Sequence, residues 1–236
     1  MNACPELSDP EKWLIYQDDD LLVINKPAGI LSIPDGYHPD LPHLSMLLEP
    51  VFGKVWIVHR LDRETSGVMM FARNADSHRQ LNHQFKERLI HKKYHCLVIP
   101  APLWEALSMS EPLLVDADRR HRTRVNFERG KPAQTHAQVL WRGSQFAVLA
   151  CEITTGYTHQ IRAHLYQQGI GILGDNLYLT KDLKSVDKEL SAARLMLHAH
   201  DLNFAHPSSG KPMEFVVDYP PDFSEMLEIL QTHKLG

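Results

Sequence analysis

The chain has 236 residues and a formal net charge of −4, with 43% hydrophobic and 23% charged residues. These values are ordinary for a soluble globular protein, and a chain of this length can bury a sizeable core. No apolar run is long enough to cross a bilayer, and residues 1–6 lack the basic and apolar segments of a secretory signal. Three widely spaced cysteines, Cys4, Cys96 and Cys151, are most simply reduced thiols. These features predict a cytoplasmic protein with no membrane partner.

The charges are distributed unevenly along the chain. Residues 1–20 carry one lysine against six carboxylates, and residues 214–236 carry one lysine against five. Residues 54–131 carry fifteen lysines and arginines against nine carboxylates, most densely at 119–124. A basic centre between acidic ends fits a phosphate-binding face, although a solvated basic loop would have the same composition.

Short apolar runs in the N-terminal half predict buried strands at residues 21–24, 55–58 and 68–71. Residues 34–50 contain four prolines, which predicts a loop with one helical turn near 45–48.

The clearest helix spans residues 74–90. Asn74 is a natural N-cap for it. Leu81, Phe85 and Leu89 recur every four residues, which predicts one buried stripe along this helix.

The C-terminal half begins with a predicted strand at residues 92–99. Residues 136–141 and 145–153 alternate between apolar and polar side chains and predict a hairpin with its tip at 143–144. Three helices complete the prediction: one capped by Thr158, one at residues 190–197 and one at 222–233. Strands interrupted by helices at irregular intervals predict an α+β fold with a mixed, mainly antiparallel sheet.

A polar loop at residues 59–67 connects two of the predicted strands. Such a loop can hold a reactive group rigidly. It contains Asp62 among Arg60, Arg63 and Glu64, and the same composition would also fit a surface turn whose charges pair with one another.

The order His-Arg-Leu-Asp-x-x-Thr-Ser-Gly in this loop resembles the signature of the RluA-type pseudouridine synthases at every defined position. Further segments resemble the same family: NKPAG at 25–29, KKYHCLV at 92–98, GKPAQT at 130–135, TGYTHQIRAH at 155–164 and GILGDNLY at 171–178. The resemblance covers roughly residues 15–217.

The resemblance implies a long, bent sheet with flanking helices around a central cleft. It also implies one catalytic domain over residues 1–236, with a core at 15–217, an acidic N-terminal extension and a C-terminal helix. No separate N-terminal RNA-binding domain is expected.

The resemblance further implies that uridine in RNA is isomerised. Asp62 acts as nucleophile or base, Arg162 pairs with it, and Tyr94 stacks on the target base and helps to remove a ribose proton. A carboxylate in such a partly dry site needs a cation to stay ionised. The reaction requires no redox chemistry or phosphoryl transfer, so no cofactor, nucleotide or metal is expected.

The expected partner is ribosomal or transfer RNA, bound by a monomer. The target uridine must leave its stack, which costs roughly a few kcal/mol and least in a loop. The candidates for RNA contact are His59, Arg60, Lys92, Lys93, Arg119, Arg120, Arg122, Arg124 and Tyr157. Tyr157 departs from the family pattern, which has Arg or Lys at this position.

Two other functions fit parts of the sequence. A catalytically silent RNA-binding module would share the basic segment and the fold but would not need Asp62. A histidine-liganded metal hydrolase is suggested by fifteen histidines, yet the pairs 159/164 and 198/200 do not have HExxH spacing and no cysteine pair supports zinc.

Overall fold

A computed structural model of the chain describes residues 9–36, 38 and 40–232. Cys4, residues 1–8 of the predicted acidic extension and His233 at the end of the last predicted helix lie outside the described residues. The chain divides into two compact units, Met1–His91 with Ala199–Asp218 (the first unit) and Lys92–His198 with Tyr219–Gly236 (the second unit). One catalytic domain over residues 1–236 stays a prediction.

The secondary structure combines helices and mainly antiparallel strands, which confirms the predicted α+β class. The described elements are, in chain order, β1 (Leu14–Gln17), β2 (Leu21–Lys26), α1 (Leu44–Phe52), β3 (Trp56–Ile57), β4 (Ser66–Ala72), α2 (Ala75–Lys86), β5 (His91–Ile99), β6 (Ala106–Met109), β7 (Leu113–Leu114), β8 (Arg124–Val125), β9 (Thr135–Arg142), β10 (Ala147–Ile153), α3 (Gln160–Gln167), β11 (Gly171–Ile172), α4 (Lys181–Leu190), β12 (Leu197–Ala205), β13 (Pro212–Val216) and α5 (Pro221–Thr232).

The first unit is built on the strand order β1–β2–β4–β12, with β3 beside β4 and β13 beside β12. Strands β2 and β4 are mostly apolar and almost completely buried, as their unbroken hydrophobic runs predict. They are antiparallel, with Lys26 opposite Gly67. The end of β2 therefore lies beside the loop that leads into β4. Helix α2 packs against β4, and the Asn74 side chain caps it by accepting a hydrogen bond from Ser77 N–H at 2.9 Å.

The second unit is built on the strand order β5–β10–β9–β6, with β11 beside β5 and a separate pair β7–β8. The hairpin of β9 and β10 confirms the predicted one. Strand β5 pairs with β10 from Lys92 opposite Ile153 to Val98 opposite Ala147. Helix α3 packs against β9 and β11 and is buried from residue 160 to residue 165.

The helix predicted at residues 190–197 is wrong. Helix α4 ends at Leu190, where Ser191 adopts a left-handed conformation with φ of 54°. Leu195 and Met196 are buried, and Leu197 begins β12. Burial of these apolar side chains against the sheet overrides the local helix propensity of the segment.

The single helical turn predicted near residues 45–48 is a longer helix, α1. Leu44, Leu48 and Phe52 form a buried stripe with four-residue spacing, and the helix continues through Pro50. The prolines concealed this period, because they predict a loop.

Helix α2 is shorter than predicted and α3 begins differently. Arg88 is left-handed with φ of 58°, so α2 stops at Lys86 and Leu89 is 55% exposed rather than buried. The N-cap of α3 is His159 in a left-handed conformation and not Thr158. Among the described residues, no helix combines the length and apolar character that crossing a membrane requires.

Candidate active site

The loop that carries Asp62 connects β3 and β4 in the first unit. Ser32 Oγ donates to Leu61 O at 2.7 Å and accepts from Leu61 N–H at 3.1 Å. Arg63 Nε donates to Gly29 O at 3.0 Å, and Gly29 N–H donates to Arg63 O at 2.8 Å. The backbone on both sides of Asp62 is therefore tied to the segment that follows β2.

Lys26, the last residue of β2, is fully buried and its ammonium group lies against this loop. Its Nζ donates to four backbone carbonyls at 2.9–3.4 Å, those of Pro27, Asp62, Arg63 and Thr65. A buried ammonium is costly unless its N–H groups are hydrogen-bonded, so these carbonyls and the ammonium stabilise one another. The Lys26 clamp, as we call these contacts, holds the backbone of the loop at the carbonyl of Asp62.

The Asp62 side chain is partly exposed and follows the buried Leu61. Thr65 N–H donates to Asp62 O at 3.1 Å and closes a tight turn. Gly67 follows with φ of +118°, and a Cβ atom at this position would lie 2.1 Å from Ala199 O. Only glycine allows the chain to pass from the Asp62 turn into β4 alongside β12.

Arg162 lies on α3 in the second unit, where its side chain is only 8% exposed. Its guanidinium group forms a bidentate ion pair with Asp175: Nε lies 2.7 Å from Oδ2, and Nη2 lies 2.9 Å from Oδ1. Arg162 Cζ also lies 5.0 Å from the centroid of the Tyr178 ring, within cation–π distance. The pairing of Arg162 with Asp62 stays a prediction.

Tyr94 lies in β5 of the second unit, buried and opposite Cys151 of β10. Lys92 precedes it by two residues and so occupies the same face of the strand. Lys92 Nζ donates to Thr155 O at 3.4 Å, and burial lowers the pKa of this ammonium to about 8. Lys92 therefore loses charge at mildly alkaline pH.

Tyr157 packs against an apolar cluster formed by Leu113, Ala133, Ala163 and Tyr178. At the residue where the resembling family has a cation, this chain therefore has a side chain with a packing role. A contact between Tyr157 and RNA stays a prediction.

The basic loop, residues 116–124, is organised around Asp118. The Asp118 carboxylate lies 2.8 Å from the Arg122 guanidinium and 2.7 Å from that of Arg124. Hydrogen bonds from Arg122, first of all from its side chain, lower the pKa of Asp118 to about 2. These two arginines are held in place before any RNA is bound.

The other predicted contacts of the second unit are exposed or partly exposed. Arg119 and Arg120 are exposed, and Arg120 Nη2 donates to Asn176 O at 2.9 Å. Lys93 Nζ lies 3.3 Å from the Glu152 carboxylate. Exposed ion pairs are weak, so a phosphate could replace Glu152 at little cost.

His59 and Arg60 precede Asp62 in the first unit. His59 Nε2 accepts a hydrogen bond from Met70 N–H at 3.0 Å, and its ring lies 5.2 Å from that of Phe85. His59 therefore anchors the start of the loop to β4 and α2. Arg60 is exposed, and contacts of both residues with RNA stay predictions.

One cluster in the first unit could hold a cation: the ligand atoms of Asp18, Asp20 and His206 lie within 4.8 Å of one another. Hydrogen bonds already use these atoms. His206 Nε2 lies 2.9 Å from Asp18 Oδ2, and Ser77 Oγ and Ser208 Oγ each donate to the Asp20 carboxylate at 2.6 Å. The cluster is therefore explained as a polar network that joins β1, α2 and the turn after β12.

His164 is one of the histidines that suggested a metal hydrolase. It is buried, its Nδ1 lies 2.8 Å from Thr135 Oγ1, and its Nε2 lies 3.0 Å from Glu111 O. Burial lowers its pKa. Both ring nitrogens are engaged within the second unit, which leaves neither for a metal.

Lys26 and Asp175 are positioning residues that the sequence patterns above do not single out. Lys26 had one signal, since it is the charged residue that ends a buried apolar run. Asp175 lies in the segment 171–178 that resembles the family, but nothing in that segment indicates its pairing with Arg162, which is formed only in the folded second unit.

Comparison with known proteins supports the resemblance seen in the motifs. The model of a family described as RNA pseudouridylate synthase matches residues 20–167. The chain is 35% identical over 227 residues to the dual-specificity RNA pseudouridine synthase RluA of Vibrio vulnificus (strain CMCP6), covering 93% of this chain and 89% of the relative. It is also 35% identical over 216 residues to the protein of that name in Escherichia coli (strain K12), covering 90% and 95%.

Solved structures agree with these sequence matches. Human RNA Pseudouridylate Synthase Domain Containing 4 superposes with a TM-score of 0.75 at 27% identity, and 94% of each chain is covered. Human RNA Pseudouridylate Synthase Domain Containing 1 has a TM-score of 0.74 at 24% identity and shows the fold alone. The predicted pseudouridine synthase fold is confirmed, and the chain belongs to the RluA-type family of RNA pseudouridine synthases, which are isomerases.

Proposed function

We propose that the chain isomerises specific uridines in ribosomal or transfer RNA stem-loops, with Asp62 as the catalytic carboxylate. The observation that carries this proposal is the 59–67 loop, because it combines the family signature with a backbone held by the Lys26 clamp. A group on a rigid backbone can be aimed at a reacting atom without further ordering. We expect the protein to act in the cytoplasm as a monomer.

The proposed chemistry rearranges bonds within one nucleotide. The glycosidic nitrogen–carbon bond breaks, the uracil rotates, and a carbon–carbon bond joins the base to the same ribose, so no atom is gained or lost. Asp62 serves either as nucleophile or as base at the ribose. Arg162 is the proposed cation that keeps this carboxylate ionised, and Tyr94 is proposed to stack on the flipped base.

The proposed RNA contacts form two groups. The exposed Arg60 lies next to the reactive loop and is proposed to occupy the space that the flipped uridine leaves. Arg119, Arg120, Arg124, Lys92 and Lys93 are proposed to contact phosphates, which predicts strongly salt-dependent binding. We assign weaker roles to Arg122, His59 and Tyr157, whose side chains are engaged inside the protein.

The RNA itself is open to direct identification. Mapping pseudouridine in total RNA from cells with and without the gene should reveal one or more uridines that lose the modification. The relatives named dual-specificity suggest that more than one RNA is modified.

The decisive test compares Asp62→Ala and Asp62→Asn with wild type on that RNA. We expect pseudouridine formation to fall by roughly 10³-fold or more, while the RNA dissociation constant changes little. Asp76→Asn is a matched control, since Asp76 is an exposed carboxylate in the first turn of α2 in the same unit. Activity retained by Asp62→Ala would refute the assignment, and binding without any wild-type activity would favour a silent RNA-binding module.

A further inference from the structure

We propose that Asp175 is a positioning residue, which orients the Arg162 guanidinium for the reaction. The inference rests on the proposed function, in which Arg162 supports the catalytic carboxylate. It concerns a residue that does not touch the RNA and acts only through Arg162.

The two oxygens of Asp175 have different partners. Oδ2 accepts from Arg162 Nε at 2.7 Å. Oδ1 accepts from Arg162 Nη2 at 2.9 Å and from the backbone N–H groups of Leu177 and Tyr178 at 2.8 Å and 3.0 Å. The carboxylate is thus fixed by its own turn, and it offers Arg162 one planar, bidentate acceptor. Two of the five guanidinium N–H groups are used in this pair, so the same guanidinium can serve a second acceptor.

The turn that carries Asp175 is itself rigid. Gly174 has φ of +73°, and a Cβ atom there would lie 1.7 Å from Arg194 O, so the backbone passes where only glycine fits. Gly174 N–H donates to Asp187 Oδ1 at 2.7 Å. Ile172, three residues before Asp175, pairs with Val98 of β5, the strand that also carries Tyr94.

Tyr178 closes the other side of this turn. Its ring lies against the Arg162 guanidinium, and its hydroxyl accepts from Thr123 N–H at 2.7 Å. The arginine is therefore bounded by a carboxylate at its edge and an aromatic ring on its face. Such a site fixes both the position and the plane of a guanidinium.

The alternative is that the pair only stabilises the fold. A buried ion pair is weak evidence for a stabilising role, because the cost of removing two charges from water offsets much of their attraction. A purely apolar contact between α3 and the turn would pack as well. What the ion pair adds is orientation, which matters for a group that must face a reacting carboxylate.

Asp175→Asn separates the two roles. With its amide oxygen in the place of Oδ1, asparagine keeps the acceptor for Leu177 and Tyr178. Its NH₂ group then faces Arg162 Nε–H, and two donors cannot bond each other. Asp187→Ala is the matched control, because it removes an acceptor from the same turn without touching Arg162.

The first measurement needs no substrate. In ¹⁵N-labelled protein, the Nε–H resonance of Arg162, identified by its absence in Arg162→Lys, should be protected from solvent exchange. We expect at least a tenfold loss of protection in Asp175→Asn and little change in Asp187→Ala. Unchanged protection in Asp175→Asn would overturn the inference regardless of what the protein catalyses.

The second measurement is the single-turnover rate on an RNA that the wild type modifies, with the RNA dissociation constant and the melting temperature recorded for each variant. We expect Asp175→Asn to lower the rate by about 100-fold, with binding within about threefold of wild type.

In an Arg162→Lys background, Asp175→Asn should lower the rate by less than about threefold, because the two residues act as one unit. A full additive loss in that background, or wild-type activity in Asp175→Asn, would overturn the inference. Absence of wild-type activity on every RNA would refute the proposed function instead.

Discussion

The two units each contain a turn that is organised by one buried charge, but the charges have opposite signs. In the first unit the Lys26 ammonium collects four backbone carbonyls around the Asp62 loop. In the second unit the Asp175 carboxylate collects two backbone N–H groups and the Arg162 guanidinium. A cation is satisfied by carbonyls and an anion by amides, so each turn is stabilised by its buried centre.

The difference lies in what each centre holds. The contacts of the Lys26 clamp are made to backbone carbonyls, so this clamp sets the course of the chain. Asp175 contacts a proposed functional side chain directly. Loss of Lys26 should therefore weaken the fold together with activity, whereas loss of the Asp175 charge should weaken activity far more than the fold.

Lys26→Met should have the largest effect on stability. The substitution keeps an unbranched side chain but leaves three carbonyls of the loop and that of Pro27 without their N–H partner. We expect the free energy of unfolding to fall by roughly 3–5 kcal/mol, because removing the buried ammonium leaves its buried carbonyl partners unsatisfied. Urea unfolding followed by circular dichroism measures this change.

Lys12→Met is the matched control for this substitution. Lys12 lies in the same unit, but its side chain is 73% exposed and pairs with Asp9 on the surface. Its loss should change stability by less than about 0.5 kcal/mol. A similar small change in Lys26→Met would show that the loop does not depend on the clamp.

Gly67→Ala should have a smaller but still large effect, of about 3 kcal/mol. Alanine at this position would have to adopt a backbone φ of +118°, which L-residues disfavour. Its Cβ would also lie 2.1 Å from Ala199 O, so β4 or β12 must shift. Gly29→Ala separates the two causes, because Gly29 has φ of +89° but no heavy atom within 4 Å of the added Cβ. The control should lose only about 1–2 kcal/mol from backbone strain. Equal losses in thermal or urea unfolding would mean that the close approach of Ala199 is unimportant.

The sequence predicts these regions unequally well. The buried strands β2 and β4 follow from unbroken apolar runs, and the Asp62 loop that leads into β4 follows from a specific motif. The helix predicted at residues 190–197 fails because local propensity cannot reveal that Leu197 enters a strand. The Asp175 turn could not be assigned a role, since its partners come from α3 and from its own backbone. Ion pairs across the fold leave no periodic signal.

The smallest expected effect concerns Lys92, whose ammonium group is destabilised by burial. Burial lowers its pKa from the ordinary value of 10.5 to about 8. Below pH 8 the ammonium is charged in both folded and unfolded chains, and the folded state bears the full cost of burying it. Between pH 8 and 10.5 the folded chain releases this proton before the unfolded chain does, so the cost disappears as pH rises.

Lys92→Met should therefore raise the free energy of unfolding at pH 7 by roughly 2 kcal/mol. This gain should shrink steadily between pH 8 and 10.5, as measured by urea unfolding at each pH. Lys93→Met is the control, because Lys93 is the neighbouring residue and its side chain forms a solvent-exposed ion pair with Glu152. Its effect should stay below about 0.5 kcal/mol throughout. A gain for Lys92→Met that does not change with pH would show that the substitution improves packing and that the buried charge is not the cause. If the gain does fade with pH, two lysines of one chain differ in kind. The buried Lys26 ammonium organises a loop, whereas that of the partly buried Lys92 is kept at a cost to stability, which fits its proposed contact with RNA.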